Sequence, residues 1–201
     1  MNMLRAFAFL TAFSFLSACA AVSTDTPIGI SGGRQMDAQL LGGWKIVQLG
    51  NQTEEHAYVF FLPLKDGSVQ ALAAGWDMMN GAPEKKDGSW VTYDIVLGKA
   101  GEYRFINARP LLEDGKPPQP APDSAYVPLL YRQESNGTVT IFTIIENQTV
   151  RDAVQSGRLK GTVSSGQSVH LTSDANALDE FFATEAPKLF TEPMGSLQPL
   201  N

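Results

Sequence analysis

Few side chains in this chain of 201 residues have the types and spacing that catalysis or metal binding requires. Cys19 is the only cysteine, so the chain can form no internal disulfide and no thiolate metal cluster. The two histidines, His56 and His170, are far apart, and neither has a second ligand at the short spacing that zinc motifs use. Both lie in strand-like runs, which favours ordinary sheet residues. The sequence therefore predicts neither an internal disulfide nor a metal site.

The motifs that position a nucleophile or a nucleotide are also missing from the sequence. It has no Gly-X-Ser-X-Gly elbow, no phosphate-binding loop of the Walker form and no dinucleotide fingerprint. Single acidic residues such as Asp77, Asp94 and Glu102 could act as a catalytic pair only if the fold brought them together. We therefore expect a protein that is not an enzyme and that needs no cofactor.

The N-terminus has the organisation of a secretory signal peptide. Arg5 supplies one positive charge, an apolar run covers residues 6–16, and the small residues Ser17 and Ala18 precede Cys19. The apolar run is too short to cross a hydrocarbon core about 30 Å thick. The alternative is a signal peptide that is cut elsewhere and leaves Cys19 as an incidental thiol.

Leu16-Ser17-Ala18-Cys19 resembles the lipobox of bacterial lipoproteins, in which Leu, a small residue and Ala or Gly precede the Cys. The resemblance implies cleavage before Cys19, a diacylglyceryl thioether on its sulfur and an acylated new N-terminus. Several acyl chains hold a protein at a membrane far more firmly than one chain does. Ala20, rather than Asp, resembles the default signal for sorting to the outer membrane. We therefore expect a lipid-anchored outer-membrane protein that faces the periplasm.

Composition and length describe the rest of the chain as one acidic domain behind a tether. Apolar residues make up 43% of the chain and charged residues 18%, which is typical of a globular protein. The net charge of −6 argues against a basic surface that binds nucleic acid. Residues 20–38 show little hydrophobic periodicity. We predict a signal peptide over 1–18, the lipidated cysteine with a flexible tether over 19–38, and a single domain over 39–201.

From residue 40 onward the dominant pattern is short β-strands separated by turns. Asp66-Gly67 and Asn136-Gly137 lie between β-rich runs, which is the strongest short-range signal of a hairpin. Eight or nine strands at this spacing predict a mainly β protein with an antiparallel barrel or sandwich. The predicted strands are 44–49, 56–64, 68–74, 90–97, 102–109, 126–133, 138–145, 159–164 and 167–172, and helices are predicted over 149–156 and 174–186.

One stretch fits neither a strand nor a helix. Six of the 12 prolines lie between Pro110 and Pro128. Because each proline fixes φ and removes a backbone donor, we expect a long, stiff surface loop between two strands. This loop is either a passive connection or a lid or docking segment.

Gly42-X-Trp44 leads into the first strand and resembles the entrance of lipocalins, where Gly-X-Trp closes one end of an eight-stranded up-and-down barrel. The number of strands and the C-terminal helix are similar to that family. Lys45 replaces the family's usual aromatic residue, and the helix at 149–156 interrupts what should be a plain meander. The resemblance implies a lipocalin-like barrel that binds a small hydrophobic molecule; the alternative is another kind of small β-barrel lipoprotein.

A barrel of about eight strands is wide enough either for packed side chains or for one small ligand. Small residues at 71 and 73–75 leave room on one strand for a bulky neighbour or for a ligand. Alternation along the strands makes Tyr93, Phe105 and Tyr131 the candidate ligand-binding residues. We therefore expect an envelope protein that binds a small hydrophobic or amphipathic ligand; the alternative is a structural or adaptor lipoprotein that docks on another envelope component through its surface loops.

Overall fold

A computed structural model describes residues 22–48, 56–65, 68–76, 78–79, 82–83, 89–117 and 125–200. The predicted signal peptide, Cys19, the Asp66-Gly67 turn and residues 118–124 of the proline-rich stretch lie outside the described residues. Among the described helices, none has both the length and the apolar character needed to cross a bilayer. In chain order the elements are β1 (Val22–Thr24), β2 (Gly42–Gln48), β3 (His56–Pro63), β4 (Val69–Trp76), β5 (Met78–Met79), β6 (Ala82–Pro83), β7 (Ser89–Ala100), β8 (Tyr103–Glu113), β9 (Val127–Gln133), β10 (Val139–Phe142), α1 (Gln148–Gln155), β11 (Gly161–Val163), β12 (Val169–Leu171), α2 (Ala175–Leu189) and β13 (Pro193–Pro199).

Eight strands form a closed antiparallel barrel, which confirms the predicted fold class. Their order around the barrel is β2, β3, β4, β7, β8, β9, β10 and β13, and β13 pairs again with β2. Up to β10, each barrel strand pairs with the next one along the chain, which is the up-and-down arrangement. Closure satisfies the backbone groups that an open sheet would leave exposed at its edges.

The strand that closes the barrel, β13, is absent from the strands that the sequence predicts. It begins and ends with proline, and proline disfavours a strand because it cannot donate to the ladder. Both prolines lie at the strand ends, where a missing donor is best tolerated. Between them Leu197 pairs with Val139 on one side and with Ile46 on the other. Tertiary pairing therefore produces a strand where local sequence disfavours one.

Between β10 and β13 the chain builds a second layer on the outside of the barrel. α1, the β11–β12 hairpin and α2 follow one another here, and β1 joins the hairpin as a parallel neighbour of β12. The predicted pairing of 159–164 with 167–172 is confirmed, but this hairpin belongs to the small outer sheet and not to the barrel. Both predicted helices are confirmed, and α2 continues through Pro187 to Leu189.

α2 attaches this layer to the barrel wall. The helix begins at Asp174, whose carboxylate accepts a hydrogen bond from the backbone N–H of Ala177 at 3.0 Å. One face of the helix carries buried aromatic and aliphatic side chains. Phe182 on this face packs edge-on against Phe105 of β8, with ring centroids 6.1 Å apart. The helix therefore covers the outward side of β8 at Phe105.

Residues 22–31, which composition predicts to be part of a flexible tether, are held against the outer wall of the barrel. The fully buried Asn107 of β8 accepts a bond from the backbone N–H of Ile28 at 2.8 Å. Its amide also donates to the carbonyl oxygen of Ile28 at 2.9 Å and to that of Val96 at 3.0 Å. Side chains far along the chain supply these bonds, so the composition of the segment could not indicate them.

Glycines allow the same segment to lie directly on β7. Gly29 has a φ of +86°, and a Cβ added to Gly98 of β7 would lie 2.1 Å from the carbonyl oxygen of Ile28. The carboxylate of Asp179 on α2 holds the segment from the other side. It accepts bonds from the backbone N–H groups of Gly29 and Ser31 at 2.5 and 2.8 Å. The segment is thus enclosed between the barrel wall and α2.

The buried apolar side chains form two cores on opposite sides of the barrel wall. The inner core fills part of the barrel and includes Trp44, Phe61, Ile95, Leu97, Ile106, Tyr131 and Leu197. The outer core lies between the wall and the second layer and includes Val22, Ile28, Phe105, Leu130, Phe142, Leu171, Phe181, Phe182 and Leu189.

Candidate functional site

One end of the barrel, the closed end, is crossed by the chain that leads into β2. The backbone N–H of Gln35 donates to the carbonyl oxygen of Leu97 at 3.4 Å, which places this chain against the end of β7. Leu40 is buried, and its carbonyl oxygen accepts a bond from Nε1 of Trp44 at 2.8 Å. Gly42 turns the chain into β2 with a φ of +108°. Gly42 and Trp44 thus lie where the chain enters β2 at the closed end.

A polar cluster lies at the closed end. Oδ2 of Asp37 accepts hydrogen bonds from Nη1 of Arg104 at 2.9 Å and from the hydroxyl of Tyr131 at 2.8 Å. Burial, and after it the hydrogen bond to Asp37, raise the pKa of Tyr131 above its ordinary value. The phenol of Tyr131 therefore stays neutral and fixes Asp37 at the closed end.

On three of the barrel strands, β3, β4 and β13, inward side-chain size falls from the closed end toward the opposite, open end. The closed halves of the strands carry bulky inward residues, namely Trp44, Phe61, Leu97, Ile106, Tyr131, Val139 and Leu197. The open halves of β3, β4 and β13 carry inward residues that are small, namely Ala57, Ala73, Gly75 and Gly195. Part of the barrel wall near the open end therefore projects little side-chain volume into the interior.

Tyr93 is an aromatic residue that the structure places on an inward position in the open half of β7. Burial, and to a smaller extent the negative charge of Glu113, raise the pKa of Tyr93. Glu113 pairs directly with Val91, whose side chain packs on the inner core, and paired residues share a face of the sheet. A neutral phenol and a carboxylate near the mouth of an apolar interior suit an amphipathic ligand.

The two ends of the barrel differ in their connections. At the closed end the turns are short: one joins residues 64 and 68 by a backbone bond of 2.8 Å, a second is centred on Gly101, and a third contains Asn136-Gly137. At the open end longer stretches of sequence separate the strands: β2 ends at Gln48 and β3 begins at His56, β4 ends at Trp76 and β7 begins at Ser89, and β8 ends at Glu113 and β9 begins at Val127. Long connections gathered at one end of a rigid barrel are the usual location of binding residues. The open end is therefore the candidate entrance.

Two of the three predicted ligand-binding residues lie on the inner face. Tyr93 and Tyr131 belong to the inner core, whereas Phe105 faces outward and packs on the second layer. Between Tyr93 and Ala100 the β7–β8 register pairs odd-numbered with even-numbered residues, as in Leu97 with Ile106, so parity reverses across this part of the hairpin. The predicted inward orientation of Phe105 is therefore wrong. Ala57 on β3, Ala108 on β8 and the Glu113 carboxylate also lie on the inner face. They were not among the predicted residues, because finding them requires the same register.

Three side chains on the small outer sheet resemble a hydrolase triad in composition. Oγ of Ser23 lies 3.1 Å from Nδ1 of His170, and Nε2 of His170 lies 3.0 Å from Oδ1 of Asp25. In a serine hydrolase the carboxylate binds Nδ1 and the nucleophile faces Nε2, so the order here is reversed. The cluster connects β1 and the residue after it to His170 of β12. It does not have the arrangement of a serine-hydrolase triad.

Acidic side chains outside the barrel are engaged in structural pairs. Oδ2 of Asp94, one of the acids considered for catalysis, accepts bonds from Nη2 of Arg109 at 2.6 Å and from the hydroxyl of Tyr126 at 2.9 Å. The guanidinium of Arg109 also lies 4.7 Å from the centre of the Tyr126 ring. Within the described ranges no three His, Cys, Asp or Glu side chains come together as a metal site.

Comparison with protein-family models, curated proteins and solved structures finds no match.

Proposed function

We propose that this chain is a lipid-anchored envelope protein whose barrel binds a small hydrophobic or amphipathic molecule. The observation that carries the proposal is the decrease in inward side-chain size from the closed end to the open end on β3, β4 and β13. A ligand entering at the open end would lie among Ala57, Ala73 and Gly75, with the phenol of Tyr93 and the carboxylate of Glu113 near its polar group. Tyr131 is bound to Asp37 and would form part of the floor.

The lipid anchor is supported by the lipobox resemblance at Cys19 and by the expected sorting signal at Ala20. β1 begins at Val22, three residues after Cys19, and is packed into the outer core. A short connection to a packed strand suits a protein that works close to the membrane. Replacing Cys19 with serine should abolish incorporation of a radiolabelled fatty acid into the full-length chain, whereas retention of the label would contradict the anchor.

Ligand binding can be tested by filling the open half of the interior. Ala73 is buried, faces inward, and is paired with Val59 and Val91, whereas the adjacent Ala74 faces outward. We expect A73F to weaken binding of the fluorescent apolar probe N-phenyl-1-naphthylamine at least tenfold, which corresponds to about 1.4 kcal/mol. The matched control A74F adds the same side chain to the outer face and should leave the affinity unchanged.

The titration uses chain 20–201, which contains the whole barrel and both cores, and circular dichroism verifies that each variant is folded. A folded A73F that binds the probe as well as the wild type would contradict the proposal. If A73F does not fold, the smaller change A73V takes its place with A74V as the control. Absence of probe binding, together with one protein crosslinked reproducibly from the proline-rich stretch, would favour the adaptor function instead.

A further inference from the structure

The outer wall of the barrel carries an exposed apolar surface on the side that the second layer leaves uncovered. The strand register sets five outward residues directly opposite one another across β2, β3, β4, β7 and β8. Other apolar side chains adjoin this row. The outer apolar patch consists of Gly43, Phe60, Leu72, Thr92 and Leu112 in the row, with Leu62, Trp90 and Leu200 beside it.

Five side chains of the outer apolar patch are both large and exposed. Phe60 is 37% exposed, Leu62 47%, Trp90 38%, Leu112 37% and Leu200 43%. Exposed leucines scattered singly are ordinary, but a contiguous group of this size marks an interaction surface.

Gly43 makes the patch continuous between β2 and β3. A Cβ at this position would lie 2.8 Å from a ring carbon of Phe60 and 2.9 Å from Cδ1 of Leu200. The absence of a side chain therefore lets these two residues close over the backbone of β2. Leu200 is held in place because its backbone N–H donates to the carbonyl oxygen of Gly43 at 3.0 Å.

The residue types in and around the patch match those found where proteins meet lipid. Trp90 and Tyr58 are aromatic residues with a polar group, and such residues favour the boundary between apolar and aqueous phases. Lys45, paired with Tyr58, has a long apolar stem that can lie on the patch while its ammonium group reaches water. Because the chain as a whole has a net charge of −6, attraction to anionic lipid cannot be the main source of binding.

The position of the N-terminal segment brings the patch near the expected anchor. Thr24 of β1 pairs with Tyr126, and Tyr126 stacks under Arg109, which lies on the same strand as Leu112 of the patch. Cys19 is three residues before Val22, a distance that an extended chain spans in at most about 10 Å. With an anchor on Cys19, only a short length of chain would separate the bilayer from β1, which lies beside the part of the barrel wall next to the patch.

We propose that the outer apolar patch lies on the surface of a phospholipid bilayer and holds the barrel on its side against the membrane. This orientation deepens the proposed function and rests on its lipid anchor, but contact between the patch and lipid does not require acylation. In this orientation the open end of the barrel lies next to the membrane surface. A ligand taken from the bilayer would then have a short path into the barrel.

Contact is tested with chain 20–201, which contains no cysteine because Cys19 is the only one. Two single-cysteine variants, L62C in the patch and I145C outside it, are labelled with an environment-sensitive nitrobenzoxadiazole dye. The control position is well matched, since Ile145 is 52% exposed and Leu62 is 47% exposed. On addition of phosphatidylcholine vesicles, we expect a blue shift of the dye emission at position 62 and none at 145. Equal responses at both positions, or none at position 62, would overturn the proposal.

A second comparison removes the patch without a dye. F60S/L62S should reduce flotation with phosphatidylcholine vesicles at least fivefold, and M36S/I145S, which removes two exposed apolar side chains elsewhere, should not. Adding one part phosphatidylglycerol to three parts phosphatidylcholine should change neither result.

A dimer in analytical ultracentrifugation that F60S/L62S dissociates, without flotation of the wild type, would show that a second copy of the chain covers the patch, and would overturn the proposal. Probe binding inside the barrel should be the same in F60S/L62S, so failure of this proposal can be distinguished from failure of ligand binding.

Discussion

Replacing Asn107 with alanine should detach residues 22–31 from the barrel wall and lower the free energy of unfolding. The substitution removes three hydrogen bonds of the fully buried amide, two with Ile28 and one with Val96. At about 0.5–1.5 kcal/mol net for each bond, the expected loss is roughly 3 kcal/mol. This is a large part of the 5–15 kcal/mol typical of a domain, so urea denaturation followed by circular dichroism would resolve it.

Two further variants make the test specific to the buried site. N136A removes an exposed turn bond, in which the backbone N–H of Thr138 donates to Oδ1 of Asn136 at 3.0 Å, and should cost less than about 1 kcal/mol. N107D places a carboxylate next to the two carbonyl oxygens to which the amide of Asn107 donates hydrogen bonds, so that oxygen faces oxygen. Its cost at pH 7 should therefore be at least as large as that of N107A, and should decrease in acid, where a protonated carboxyl group can donate again. An N107A chain that loses no more stability than N136A would refute the idea that Asn107 fastens the segment.

Two further predictions follow from close packing and from buried phenols. G98A should lower the free energy of unfolding by about 1–3 kcal/mol in the same urea experiment, because its Cβ would lie 2.1 Å from the carbonyl oxygen of Ile28. G32A is the control and should cost far less, because no atom lies within 4 Å of its Cβ. Similar losses in the two variants would contradict the close approach. Tyr93 and Tyr131 have raised pKa values, so their contribution to stability should be complete below the ordinary tyrosine pKa of about 10 and should be lost as the pH rises above it. Absorbance at alkaline pH should show both phenols ionising only as the chain unfolds, and ionisation in the folded chain would contradict their burial.

The barrel itself could be predicted from the sequence because its signals are local. Asn136-Gly137 forms the expected turn between β9 and β10, and each barrel strand up to β10 pairs with its neighbour along the chain. Trp44 also belongs to a local contact, because its Nε1 donates to the carbonyl oxygen of Leu40 four residues earlier. These features depend on residues close together in sequence, which periodicity and turn chemistry can detect.

Features that depend on distant residues could not be predicted in this way. The attachment of residues 22–31 depends on Asn107 and Asp179, which no local pattern connects with the segment. The inward or outward direction of Phe105 depends on the register of the β7–β8 hairpin, in which a shift by one residue exchanges the two faces. The sequence therefore predicts most of the strands that form the candidate site, but it does not predict which of their side chains point into the barrel.

The last strand of the barrel has a consequence for how the protein folds. β13 is the final element of the chain and pairs with β2, so Leu197 meets Ile46 across about 150 residues of sequence. Until the C-terminus is in place, β10 and β2 each present an unpaired edge, and closing so long a loop is slow. Chains truncated before Pro193 should therefore accumulate as aggregates rather than as open barrels, and a chaperone that shields sheet edges would be of most use at this late stage.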